Sequence, residues 1–183
     1  ALTLTNTNPV VAKEGAGYKV IITSGGDDRT ANFTINGAIV GQLTEQGQVP
    51  NPNNPEVLAG GNAGAVTSAY FYSRIDSITI SKAAAGTVAV GTTGDLALPR
   101  CRIKGFYILS AAGAGSLKVN RFSYTTSAYP TVAVESLLDI TTPAGATLTQ
   151  FLSLPGQGIL TGQQHNDFAV VTLDGADYSL FCG

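Results

Sequence analysis

Along most of this 183-residue chain, apolar residues recur at every second position, a pattern that suits strands and not amphipathic helices. Tyr18–Thr23, Phe33–Asn36, Ile75–Ile80, Thr87–Val90, Ile103–Leu109, Leu117–Val119, Val132–Leu138, Leu148–Leu154, Phe168–Leu173 and Tyr178–Phe181 all read as short strands rich in β-branched and aromatic residues. Turn residues separate them. Ser24-Gly-Gly-Asp-Asp28 reads as a loop, and the dipeptides Asn36-Gly37 and Asp174-Gly175 read as two-residue hairpin turns. No window of ten or more residues carries a helical period. The chain is therefore expected to be all-β, an antiparallel β-sandwich or jelly-roll-like fold, with two small related β half-domains as a variant.

One stretch breaks the alternation. Gln46 to Gly64 holds Pro50, Pro52, Pro55, Asn51, Asn53, Asn54 and Asn62, and ends in Gly60-Gly-Asn-Ala-Gly64. It is longer than an ordinary hairpin connection, so it reads as functional or mobile: an arm laid across a neighbour, a recognition loop, or a tolerated surface excursion. An internal echo lies further on, where Arg74–Val90 can be laid over Arg102–Val119 with one extra residue in the second copy. Each copy reads as a hairpin with a small-residue turn. Gly91-Thr-Thr-Gly-Asp95 followed by Pro99 marks the expected boundary. The two regions are then 1–95, with an N-terminal arm and the 46–64 loop, and 96–183, a C-terminal β-sandwich region.

Apolar residues make up 44% of the chain, enough for a packed core, while charged residues reach only 12%, about half the usual ~25%. A neighbour can cover a surface so poor in charge without stranding buried ions. That suits an assembly subunit better than a freely diffusing enzyme. Net charge is −2, and neither region carries a basic excess, so nucleic acid is not an expected partner. Arg100, Arg102 and Lys104 form the nearest thing to a basic stripe. In a strand they share one face opposite Cys101 and Ile103, either solvated or against an acidic neighbour. No apolar run approaches a membrane span, and no leader-like start is seen; the chain begins at Ala and has no Met. Cys101 and Cys182 both fall in apolar strands and are expected as buried thiols. A disulfide between them requires the last strand to lie beside 101–109.

Catalytic chemistry finds little support. His165 stands in the polar loop Gly162–Asn166, and Gly113-Ala-Gly-Ser116 lacks the frame of a nucleophile elbow. Zinc-ligand spacing is missing. Asp27-Asp28 reads as a turn-stabilising pair more than a calcium loop, and Asp167, Asp174 and Asp177 fall near one turn where they would recruit a cation only weakly. Asn32-Phe33-Thr34 matches a glycosylation acceptor but sits in an expected strand. No enzyme activity, cofactor or metal is expected.

Arg102-Ile-Lys-Gly-Phe-Tyr-Ile108, the Ala/Gly turn after it, Leu137-Leu-Asp-Ile-Thr-Thr-Pro143, Leu154-Pro-Gly-Gln-Gly-Ile-Leu160 and the closing Phe168–Phe181 resemble a group of small structural proteins of tailed bacteriophages. The likeness runs through residues 70–183 and is loose before that. It departs at Thr161-Gly-Gln-Gln-His-Asn166, where the group would place an aromatic after Leu160. The resemblance implies a virion protein made in the bacterial host cytoplasm, with a capsid decoration (cement) protein as the first choice. Its implied partners are the major capsid protein and copies of itself, as a homotrimer. Neck, adaptor or tail components are the alternative on the same particle. A carbohydrate- or receptor-binding module is the alternative from another class. It would need exposed aromatics, and Tyr70-Phe71-Tyr72 is the only dense cluster. The segments expected to make contacts are the N-terminal stretch Ala1–Val11, with Leu2 and Leu4 on alternate positions, the prolines Pro50, Pro52 and Pro55, and Arg100, Arg102 and Lys104.

Overall fold

The computed structural model describes residues 16–40, 55–109, 114–123, 133–142, 150–154, 156, 158–161, 167–174 and 177–182. Every regular element among them is a strand. In chain order these are β1 (Gly17–Ser24), β2 (Asn32–Ile39), β3 (Glu56–Ala59), β4 (Ala65–Ile80), β5 (Val88–Leu98), β6 (Arg102–Leu109), β7 (Gly115–Ser123), β8 (Glu135–Thr142), β9 (Gln150–Ser153), β10 (Ile159–Leu160), β11 (Asp167–Asp174) and β12 (Asp177–Cys182). The all-β antiparallel expectation is met. Eight strands follow the order β3-β2-β4-β1-β5-β11-β7-β8, and a smaller sheet runs β10-β6-β12 with β9 also on β6, an arrangement consistent with a β-sandwich. The chain divides into two compact units between Thr93 and Gly94, inside β5. That division falls within Gly91–Asp95, the stretch marked from sequence as the boundary between two regions. Strand β5 runs through this stretch, because Thr92 and Thr93 favour extended backbone and a side chain at Gly91 or Gly94 would meet nothing.

In the first unit, β4 is the organising element. Its 16 residues pair with β1 from Thr23↔Ala65 to Tyr18↔Tyr72, then with β2 from Ile39↔Tyr72 to Phe33↔Ile80. Alternate side chains build the core: Val20 and Ile22 of β1, Phe33, Ile35 and Ile39 of β2, and Tyr70, Tyr72 and Ile78 of β4. Each such burial is worth roughly 1.5–3 kcal/mol. The β1–β4 register slips between Lys19 and Ile21. The Val20 N–H, displaced from the ladder, donates instead to Ser68 Oγ at 2.8 Å, and that hydroxyl donates to Tyr70 O at 2.8 Å.

Several turn expectations fail here. Asn36-Gly37 is no hairpin turn; it lies inside β2, where the register shifts and Gly37 sits opposite Ile75. The bulge holds because Asn36 Nδ2 donates to Ser77 Oγ at 3.1 Å and because any Cβ at Gly37 would overlap the Arg74 carbonyl. The 46–64 stretch is not all loop. Its Glu56–Ala59 part is strand β3 on β2, while residues 41–54 lie outside the described set. The echo pairs are not hairpins either: β4 and β5 are separated by β1, and β6 and β7 belong to different sheets.

In the second unit the chain passes repeatedly between its two sheets. β7 and β8 are a hydrogen-bonded pair, β9 and β10 both flank β6, and β11 joins β7 to the end of β5. Asp174-Gly175 therefore does not join a hairpin of β11 and β12, since β12 pairs with β6, and Gly175 itself lies outside the described residues. Buried on both faces over Asp167–Val171, β11 stacks its Phe168 on Phe122 of β7, ring centroids 5.5 Å apart. Arg121 of β7 reaches in opposite directions, to Glu135 of β8 at 2.8 Å and to the fully buried Asp167 carboxylate at 3.1 Å.

Candidate assembly surface

The residues proposed from sequence as contacts are only partly placed. Leu2, Leu4, Pro50 and Pro52 lie outside the described residues, as does His165. Pro55 is exposed immediately before β3. Arg100 is exposed in the turn before β6, Arg102 is half-buried and Lys104 exposed on β6, opposite the buried Ile103. Their strand is an inner one, with β12 on one side and β10 and β9 on the other, so the stripe can offer charge but no open strand edge. Main-chain bonds fix this stretch: Leu154 N–H donates to Lys104 O at 2.9 Å, and the buried Thr161 hydroxyl accepts from Cys101 N–H at 2.7 Å. Cys101 is half-buried, not buried. β12 does run beside β6, with Cys182 in register with Ile103.

The proposed acidic groups do not gather. Asp27 is exposed and holds Arg29 through a bidentate pair at 2.9 and 2.7 Å, which keeps its carboxyl well below the usual range, at about 2. Asp28 is buried and ties two loops, its Oδ1 accepting from Ala85 N–H at 2.8 Å; its Oδ2 has no hydrogen-bond partner among the described residues. Asp167 and Asp174 stand at opposite ends of β11. No cluster of three or more metal-ligating acids, histidines or cysteines forms among the described residues. Tyr70, Phe71 and Tyr72 are all buried, which removes them as a sugar platform.

What sequence reading missed is the exposed apolar set. Val57 on β3 is 57% exposed, Val134 just before β8 is 54% exposed and Phe181 on β12 is 47% exposed. β3 and β8 close the two ends of the eight-strand order, and β12 closes one end of the small sheet. The only sequence trace of Val57 was an apolar pair, Val57-Leu58, inside a stretch without period. β3 is held down from within: Glu56 is buried, its carboxylate accepting from Ala69 N–H at 2.7 Å and from the Tyr72 hydroxyl at 2.8 Å. Ala69 lies on the half of β4 that β2 does not reach, so a side chain supplies the missing ladder acceptor.

No family model, curated protein or solved structure matches the chain.

Proposed function

We propose that this chain is a structural subunit of a tailed-phage particle, with capsid decoration as the first choice and a neck, adaptor or tail position as the alternative. The observation that carries the reading is the placement of exposed apolar residues at strands that end sheets, on a chain with only 12% charged residues. Such a surface gains by being covered, and covering it strands few ions. A decoration subunit binds the assembled shell and not its loosened form, and so stabilises the shell by linkage. The likeness of 102–108, 154–160 and 168–181 to phage structural proteins supports the same reading.

Quantitative gels or mass spectrometry of purified virions test it. A ratio to the major capsid protein near one, or a simple icosahedral fraction of one, is expected for decoration. About a dozen copies or fewer per particle moves the chain to the neck or tail, and absence from particles overturns the proposal.

A further inference from the structure

We infer that the outer edge of β3 is a contact between two copies of this chain, in which the β3 strands pair antiparallel about a two-fold axis. The inference rests on the structural-subunit reading for its purpose. A ladder this short covers less than the ~1,200–2,000 Å² of a standard stable complex, so the free chain pairs weakly, at high concentration, and the contact gains strength when repeated in an assembly.

The hydrogen-bond phase of β3 shows which groups face out. Gly60 N–H donates to Ala31 O at 2.9 Å, in the same register that pairs Leu58 with Phe33 and Glu56 with Ile35. Antiparallel pairs alternate between bonded and non-bonded positions. Leu58 and Glu56 therefore turn their main-chain groups toward β2, while Val57 and Ala59 turn theirs away from it. Among the described residues nothing pairs with that side.

Two copies of this edge fit each other. Placing Leu58 opposite its own copy sets Val57 against Ala59 of the other chain, and the reverse, giving four N–H···O bonds. Pro55, which has no N–H, ends the ladder on one side, and the Gly61 carbonyl, taken by Asp28 N–H, ends it on the other. Charge permits the approach. The one acid of β3, Glu56, is folded inward, so the two edges bring no like charges together. The other end of the eight-strand order is guarded in the usual way, by a register slip between β7 and β8 and by exposed Glu135 and Asp139. Among the described residues β3 is guarded only by its shortness and by Pro55 before it, and it presents Val57.

Facing residues at a non-bonded antiparallel position lie about 4.5 Å apart at Cα, within disulfide reach. In the full chain, Leu58→Cys under mild oxidation by oxidised glutathione should form linked dimers at least tenfold faster than Val134→Cys, with the unsubstituted chain as background for Cys101 and Cys182. Equal rates overturn the inference. Because Leu58 is half-buried, a second variant guards the test. Val57→Lys, at an exposed position, should lower self-association in sedimentation equilibrium, whereas Val134→Lys should not. Unchanged association in Val57→Lys, or a wild-type chain that stays monomeric at the highest concentration reached, also overturns it. Virion copy number is read independently, so failure here leaves the subunit reading standing.

Discussion

Arg121 shows how one side chain decides local stability. Its guanidinium is the cation for a carboxylate with no solvent exposure, and it also spans to β8 through Glu135. Arg121→Met withdraws that cation from Asp167 and should cost about 3–5 kcal/mol, read from denaturant midpoints, while removing the exposed Glu135 should cost under about 1 kcal/mol. Equal losses would remove the burial argument. Asp27 offers a pH signature of the opposite kind. Hydrogen bonding from Arg29 depresses its pKa from 3.8 to about 2, so the folded state binds the proton less readily than the unfolded chain. Its contribution is present above the unfolded value and fades as pH falls from about 4 toward 2. The group is fully exposed and the effect is small. The stability gap between wild type and Asp27→Asn should close across that window, and a gap that stays constant would contradict the assignment.

At the level of elements, Gly37 is the most exacting position in β2. A methyl there would overlap the Arg74 carbonyl, so Gly37→Ala must push β2 from β4 and should cost about 1–3 kcal/mol in thermal or chemical unfolding. The same dipeptide illustrates what could and could not be read from sequence. Strands with clean alternation and branched residues, such as β1, β6 and β11, were legible because one or both faces had to be apolar. Asn36-Gly37 was misread because a bulge and a tight turn want the same two residues, and only the partner strand separates them. The hairpin reading of Asp174-Gly175 failed for a related reason, since turn residues mark where a strand ends but not the sheet the chain enters next. β3 was hidden by its length and by Glu56, a charged residue on an inward position whose hydrogen bonds come from residues 13 and 16 places along the chain. The exposure of Arg100, Lys104 and Pro55 was legible from charge or turn chemistry. Val57 was not, because its exposure follows from where β3 sits in the sheet order.

For the whole molecule, low charge sets how an assembly contact should respond to conditions. Contacts through the apolar set at Val57, Val134 and Phe181 should be nearly insensitive to salt, because no ions are screened there. Any contact through Arg100, Arg102 and Lys104 should weaken as ionic strength rises. Reversing all three charges to Glu is expected to reduce occupancy on particles at low salt and to leave little difference at high salt. Unchanged occupancy at low salt would exclude this stripe from the interface.

The placement of β11 and β12 has a consequence for how the chain is made. The strand that joins β5 to β7 is drawn from residues 167–174, and the partner of β6 from 177–182. During synthesis, β6, β7 and β8 leave the ribosome long before the strands that cover them. The second unit must wait, with Ile103, Phe106, Leu117 and Val119 still lacking β11 and β12, until residues 167–182 have been made. A nascent chain stalled before residue 167 would be a target for chaperones and proteases, whereas one stalled after residue 93 would already hold every strand of the first unit up to β4.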